Sequence, residues 1–166
     1  MKLYIKQKVF SWKDKFKVFD EYGREKYYVE GELFSLGKKL HVYDAQEKEV
    51  AFIAQKVFSF LPRYFVYVDG DEIAEIVKQF SLFRPKYTID GLGWEIKGDF
   101  FAHDYEITQT GKRIVTINKQ WMTWGDCYEL DIENDCDEIV ALGVVLAIDC
   151  VMAAQASVSV STSSSD

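Results

Sequence analysis

Four carboxylates near the end of the chain alternate along a short acidic stretch and are the side chains best spaced to bind a cation. They are Asp131, Glu133, Asp135 and Asp137. Calcium prefers such oxygen ligands, but an EF-hand loop counted from Asp131 would place Cys136 at the required glycine and Leu142 at the bidentate glutamate. The stretch therefore fails as a calcium loop. We predict a strand end followed by the acidic start of a helix, with an irregular ion site as the alternative.

Cysteines and histidines are the other residues with potential for metal binding or nucleophilic catalysis. They are Cys127, Cys136, Cys150, His41 and His103. None lies at a coordinating spacing such as C-x-x-C, and His103 and Asp104, as neighbours in a strand, would point to opposite faces. Serine hydrolase, phosphate-loop and dinucleotide fingerprints are also absent from the sequence. We predict no catalytic residue, no metal site and no cofactor, and an odd number of cysteines favours the reducing cytoplasm.

Residues 137–156, DEIVALGVVLAIDCVMAAQA, form a helix that is apolar on nearly every side. A surface helix carries one apolar stripe, so this one is expected inside a core. The unbroken apolar run ends at Asp149, and no Lys or Arg follows Lys119, which favours a core helix over a membrane span. We predict Asp135 as the N-cap and Glu138 as its capping-box partner.

Two residues are unusual for the interior of such a helix. Asp149 must be hydrogen-bonded, paired or protonated if it is buried, and we predict a structural role with a backbone N–H, Tyr, Trp, Lys or Arg partner. Gly143 lies where glycine costs roughly 1 kcal/mol relative to alanine. We therefore predict close approach of a bulky barrel side chain to Gly143, such as a tryptophan.

The chain before this helix has the pattern of β-hairpins. About twelve short runs rich in Val, Ile, Phe and Tyr are separated by turn residues, and EVAFIAQKVF is predicted as one strand to its end. A weak repeat places Asp20, Asp44 and Asp69 at hairpin tips. Barrel closure removes edge strands, and twelve strands enclose more space than their own side chains fill. We predict one mainly β domain, residues 1–156, a closed antiparallel barrel around the C-terminal helix, followed by a disordered Ser-rich tail, residues 157–166.

Basic residues are concentrated near the start of the chain and after the turn at Gly37. The predicted lipid-binding lysines are Lys6, Lys8, Lys13, Lys15, Lys17, Lys38 and Lys39. Basic groups at an anionic lipid surface contribute roughly 1 kcal/mol each, whereas the alternative for each lysine is a solubilising position on the barrel exterior. The net charge of −7 argues against nucleic-acid binding.

Several stretches resemble Tubby C-terminal-like proteins and, among them, bacterial LURP-one-related proteins. They are LYIKQKVFS, FSLGKKL, KVFSFLPRY, GLGWEIKGDFFAHDYEI and WMTWGDCYELDI, and the final helix is also similar to that of phospholipid scramblases at Gly143, Ile148-Asp149 and Met152. The resemblance covers nearly the whole chain before the tail. It implies a twelve-stranded barrel around a hydrophobic helix and, in some members, binding of phospholipid head groups.

These observations predict a non-enzymatic binding module. Anionic phospholipid at a membrane surface is the first expected partner, which would make the protein cytoplasmic and peripheral at the membrane. A protein-interaction scaffold is the alternative, and an enzyme of unknown type is third.

Overall fold

The computed structural model describes residues 1–6, 15–32, 35–79, 86–99, 102–122, 125–133 and 136–161. Twelve strands and one helix lie within these residues: β1 Lys2–Lys6, β2 Phe16–Asp20, β3 Glu25–Gly31, β4 Lys39–Asp44, β5 Glu49–Gln55, β6 Arg63–Val68, β7 Asp71–Gln79, β8 Lys86–Asp90, β9 Trp94–Asp99, β10 Asp104–Gln109, β11 Lys112–Met122, β12 Gly125–Ile132 and α1 Glu138–Ser161.

The strands form a closed barrel in which each strand is antiparallel to both of its neighbours. Consecutive strands pair throughout, and β1 closes the ring by pairing with both β12 and β2. Alternate residues point inward, as in β4, where Leu40 and Val42 are buried between more exposed neighbours. The predicted closed barrel of twelve strands is confirmed, although β5 ends at Gln55 and the last three residues of EVAFIAQKVF form a loop.

The repeated aspartates have a local explanation in the turns. Asp20 accepts hydrogen bonds from the backbone N–H groups of Tyr22 and Arg24, and Asp44 accepts equivalent bonds two and four residues on. Asp69 differs, because it and Gly70 both take a positive φ, of 48° and 91°. This is the backbone conformation that a two-residue hairpin turn requires.

Helix α1 fills the barrel. Its residues from Ala141 to Val151 are all buried, and it contacts β5, β6, β7 and β12. Its N-cap is Asp137 rather than the predicted Asp135, because Asp137 Oδ1 accepts hydrogen bonds from the N–H groups of Ile139 and Val140 at 2.9 and 3.1 Å. Asp135 lies outside the described residues.

The helix also continues to Ser161, five residues beyond its predicted end, so part of the predicted tail has helical backbone. Residues 162–166 lie outside the described part of the chain, and the domain limits stay a prediction. Among the residues that the structure describes, no helix is both long and apolar enough to cross a membrane.

Gly143 permits the helix to approach β6. A Cβ atom built on Gly143 would lie 2.8 Å from Val66 Cγ1 and 4.0 Å from Ala51 Cβ. The predicted close approach exists, but the neighbour is a valine rather than a tryptophan. A valine is stiff at χ1 and cannot easily move away, so this contact fixes the depth of the helix against the wall.

The two ends of the barrel differ in their connections. One end, which we call the tip end, carries the tight hairpin turns that join β2 to β3, β4 to β5, β6 to β7, β8 to β9 and β10 to β11. The other, which we call the loop end, carries residues 35–38, residues 56–62 and the turn before β10. Helix α1 begins at the tip end, where Glu138 accepts a hydrogen bond from Tyr27, and runs toward the loop end.

Candidate functional site at the loop end of the barrel

A buried carboxylate lies inside the barrel near the loop end. Asp149 on α1 is 3% exposed, and its Oδ2 accepts a hydrogen bond of 2.5 Å from the Tyr128 hydroxyl on β12. Burial raises the pKa of the Tyr128 hydroxyl, and the nearby carboxylate raises it further. Tyr128 therefore stays protonated and remains a hydrogen-bond donor.

His103 contacts the same carboxylate from the turn before β10. Its Nε2 lies 3.5 Å from Asp149 Oδ1, and its ring stacks on Tyr128 with centroids 4.6 Å apart. His103 has a φ of +50°, a conformation that non-glycine residues seldom adopt. Its partner is Asp149 on the helix, not its chain neighbour Asp104. Among the described residues, His103 Nδ1 and Asp149 Oδ1 are buried without a hydrogen-bond partner.

The neighbouring cysteine is not suited to nucleophilic chemistry. Burial raises the pKa of the Cys150 thiol well above its ordinary value, and the adjacent Asp149 raises it further. Because the thiolate is the reactive form, Cys150 is held as an inert thiol. Cys127, Cys136 and Cys150 are all buried, and none of these three forms a disulfide.

Two loops at this end form a supported surface, which we call the loop-end platform and define as residues 35–38 and 56–62. The backbone N–H of Lys38 donates to Gln55 Oε1 at 3.0 Å, and the Gln55 N–H donates to the Lys38 carbonyl at 2.8 Å. The Lys56 N–H donates to the Arg63 carbonyl at 3.0 Å. Both loops are thus anchored to the barrel wall where they leave it.

The two loops also pack against each other. Gly37 has a φ of +81°, and a Cβ atom on it would lie 2.9 Å from Val57 Cγ1. Only glycine combines this backbone conformation with this close approach. Phe58 next to Val57 has a φ of +61°, which costs a non-glycine residue about 1 kcal/mol. The platform therefore holds its side chains in a defined arrangement.

The side chains that the platform presents to solvent are apolar. Leu36 is 82% exposed, Phe58 100% and Phe60 95%, and Val57 is also exposed. Isolated exposed apolar residues are ordinary, but three large ones on two adjoining loops indicate an interaction surface.

Basic residues border the platform. Lys56 is exposed with its Nζ 5.5 Å from the centre of the Phe65 ring. Lys38 is partly buried, and burial lowers the pKa of its ammonium. Arg63 Nη1 bonds Glu75 at 3.1 Å. The platform thus combines apolar tips with a basic border.

The predicted lipid-binding lysines do not share the same surroundings in the structure. Lys15, Lys17 and Lys39 form ion pairs with Glu30, Glu25 and Glu32 at 3.0, 2.6 and 3.1 Å. Lys38 alone belongs to the platform. Lys8 and Lys13 lie outside the described residues, as does the side chain of Lys6. A lipid-binding role for these lysines stays a prediction.

The acidic stretch is divided among structural roles. Asp131 is the penultimate residue of β12, with one oxygen 3.9 Å from Lys2 Nζ, and Asp137 caps the helix. Within the described ranges, no cluster of three or more His, Cys, Asp or Glu side chains is arranged to hold a metal ion.

Sequence reasoning did not identify the platform, and it named His103 as a candidate without its contact with Asp149. A usable signal for the platform is the break in alternation at Val57-Phe58, two consecutive apolar residues after a strand in which inward and outward residues alternate. The contact between His103 and Asp149 joins residues 46 positions apart, and no local pattern indicates it.

Comparison with known proteins gives three matches. Residues 1–149 match the family model described as LURP-one-related. An uncharacterized Bacillus subtilis (strain 168) protein, YxjI, is 36% identical over 152 residues, covering 92% of this chain and 94% of that protein. An X-ray structure of an Arabidopsis thaliana protein is similar with a TM-score of 0.62 and 13% identity over 90% of each chain, and it supports the fold alone. On the family match and the Bacillus relative, the chain belongs to the LURP-one-related family.

Proposed function

We propose that this protein is a non-enzymatic module that binds anionic phospholipid at the cytoplasmic surface of a membrane through the loop end of its barrel. The observation that carries the proposal is the exposure of Leu36, Phe58 and Phe60 on the loop-end platform. Exposure of these apolar side chains to water is unfavourable in free energy, whereas the interfacial region of a bilayer can bury them.

The size of the apolar contribution is adequate for membrane association. Full burial of a Leu or Phe side chain is worth roughly 1.5–3 kcal/mol, so even partial insertion of the three contributes several kcal/mol. Lys38 and Lys56 border the inserted groups and add roughly 1 kcal/mol each at an anionic surface. Apolar insertion then fixes the orientation, and charge selects anionic lipid.

The platform is suited to insertion because its backbone is already ordered. The hydrogen bonds between Lys38 and Gln55 and the packing of Gly37 on Val57 hold the two loops together before any partner binds. Binding therefore does not have to supply the free energy of ordering a flexible loop.

The proposal is tested by sedimentation with vesicles of phosphatidylcholine alone and of phosphatidylcholine mixed with phosphatidylglycerol. The protein should bind only the anionic vesicles, and binding should weaken as salt screens the charges. A variant with Leu36, Phe58 and Phe60 replaced by serine should bind at least about 100-fold more weakly, which corresponds to about 3 kcal/mol. Its thermal unfolding should be nearly unchanged, since exposed substitutions usually cost within about 0.5 kcal/mol each.

The matched control is Tyr22→Ser, because Tyr22 is a large side chain, 74% exposed, in a turn at the opposite end of the barrel. It should bind anionic vesicles like the unchanged protein. Equal loss in the Tyr22 variant, or no anionic binding by the unchanged protein at low salt, contradicts the proposal.

The N-terminal lysines offer a second contact that the same assay separates. Reversal of Lys6, Lys8, Lys13 and Lys15 to glutamate should weaken binding by over 100-fold if all four face the lipid, at roughly 1 kcal/mol per basic group. Reversal of Lys38 and Lys56 removes only the charges beside the platform. Comparing the two variants shows which set of basic residues faces the lipid.

A further inference from the structure

A row of aromatic rings crosses the outside of the barrel from β3 to β6. Its members are Tyr28, His41, Tyr43, Phe52, Phe65 and Tyr67, all partly exposed. They occupy the outward positions of their strands, which alternate with buried residues such as Val42 and Ile53. The row lies along the barrel wall and meets the loop-end platform where Lys56 contacts Phe65.

The rings contact one another across strand after strand. Tyr28 stacks on Tyr43 with centroids 4.8 Å apart, His41 lies 4.8 Å from Phe52, and Phe52 lies 5.8 Å from Tyr67. These spacings lie in the range of favourable aromatic pairs. Such pairs stabilise the sheet, and they also hold a continuous π surface in a fixed position.

The chain's own lysines show that rings in this row accept cations. Lys15 Nζ lies 6.0 Å from the centre of Tyr28, and Lys56 Nζ lies 5.5 Å from the centre of Phe65. Both distances are within the range of cation–π contacts. Basic side chains therefore already contact the first strand and the last strand of the row.

Carboxylates accompany the rings between these two lysines. Glu32 and Glu49 bond His41 from its two sides. Near the tip end, a shallow slot is lined by Glu49, Phe52, Tyr67 and Asp69. Two rings and two carboxylates around one depression are the groups that recognise an ammonium or guanidinium group.

We propose that the aromatic row binds an extended, lysine- and arginine-rich segment of a partner protein, with one basic side chain in the slot between Phe52, Tyr67, Glu49 and Asp69. Lys48 bonds Asp69 at 2.8 Å, and both side chains are largely exposed. An incoming cation shares or replaces this solvent-screened pair. The carboxylates repel phosphate, which separates this surface from the lipid-binding loop end.

The dimensions suit an extended segment. Four neighbouring strands span three spacings of about 4.8 Å, so the row is roughly 14 Å long. An extended peptide rises about 3.3 Å per residue with alternate side chains on one face. About five residues cross the row, and basic residues at alternate positions direct two or three cations toward it.

The test is fluorescence anisotropy with the full chain and a labelled peptide of alternating lysine and alanine. A peptide of alternating glutamate and alanine is the matched probe and should not bind. The double variant Glu49→Gln with Tyr67→Leu should bind the lysine peptide about tenfold more weakly, which corresponds to about 1.4 kcal/mol. Glu49→Gln alone should show part of this loss, and thermal unfolding of the variant measures separately the stability lost with the Glu49–His41 contact.

The control double variant is Glu95→Gln with Tyr22→Leu, which removes one exposed carboxylate and one exposed ring away from the row. It should keep binding within about twofold of the unchanged protein. Equal loss in both double variants would assign binding to the overall negative charge and overturn the proposal, as would no binding at low salt. Self-association of the protein that disappears in the slot variant would assign the row to a second copy and likewise overturn it.

Discussion

The Tyr128 hydroxyl donates a hydrogen bond of 2.5 Å to Asp149 Oδ2 inside the barrel, linking β12 to the enclosed helix. A carboxylate in such a position is costly unless it is hydrogen-bonded. Tyr128 supplies the donor, and His103 stacks on the tyrosine ring and faces the other carboxylate oxygen. The three residues therefore join the helix, β12 and the turn before β10.

Tyr128→Phe should destabilise the protein by about 1–3 kcal/mol, because it leaves a buried carboxylate oxygen without its donor. Asp149→Asn should cost less, since the amide oxygen can still accept from Tyr128 and no charge remains buried. Urea unfolding measures both effects. The control Tyr22→Phe removes an exposed hydroxyl and should change stability by less than about 0.5 kcal/mol. A Tyr128→Phe protein as stable as the unchanged one would show that this bond has no net value.

Gly143→Leu should overpack the interface between helix and wall. Because a Cβ atom alone would lie 2.8 Å from Val66 Cγ1, we expect a loss of about 1–3 kcal/mol or more, against a gain of up to about 1 kcal/mol from helix propensity. Val66→Ala should restore part of the stability of the leucine variant, since it removes the opposing methyl groups. Denaturation of the two single variants and the double variant forms a cycle. Additive effects would show that Val66 is not the limiting neighbour.

Much of this architecture could be predicted because it depends on local alternation and on one uniformly apolar segment. Strand positions follow from period-two patterns, and the residue types of Asp69 and Gly70 predict the hairpin turn between β6 and β7. The enclosed helix follows from the lack of any polar face, and burial of Asp149 follows from that helix. Each of these inferences uses neighbours in sequence.

The parts that could not be predicted depend on contacts between distant residues or on backbone conformation. Val66 opposes Gly143 only because of the helix's rotation within the barrel, which no local pattern specifies. Phe58 takes a positive φ that its residue type does not suggest. Residues 56–58 are therefore predicted from the sequence as the end of a strand. The ion pair of Lys15 with Glu30 depends on how β2 lies beside β3. Lys15 is predicted from the sequence as a lipid-binding lysine without this partner.

Removal of residues 137–166 should leave an insoluble or molten chain. The deleted helix supplies the centre of the core, including Leu142, Leu146 and Ile148, each fully buried. Removal of residues 157–166 alone should have little effect on folding, because that segment is Ser-rich and carries no bulky side chain beyond two valines. Circular dichroism and thermal unfolding distinguish the two truncations. A cooperative melt for the larger truncation would show that the barrel is stable without its helix.

His41 makes stability depend on pH near neutrality. Burial lowers its pKa, but the hydrogen bonds that the protonated ring donates to Glu49 at 2.5 Å and Glu32 at 3.0 Å outweigh this, and the net pKa of His41 is raised above 6.5. A raised folded-state pKa means that folding favours the protonated ring. The stabilisation is fully present below the unfolded-state pKa near 6.5 and is lost as pH rises through the higher folded-state value.

Glu32 responds at a different pH from His41, which isolates the contribution of the histidine. Hydrogen bonds to His41 and Lys39 lower the pKa of Glu32 below 4.5, so its own contribution is lost only in acid. We therefore expect the melting temperature to fall between about pH 6 and pH 8 and expect His41→Gln to reduce this fall. Scanning calorimetry of both proteins across this range measures the difference. An identical pH dependence in the glutamine variant would show that His41 is not linked to folding, whereas a flatter profile would assign the linkage to His41.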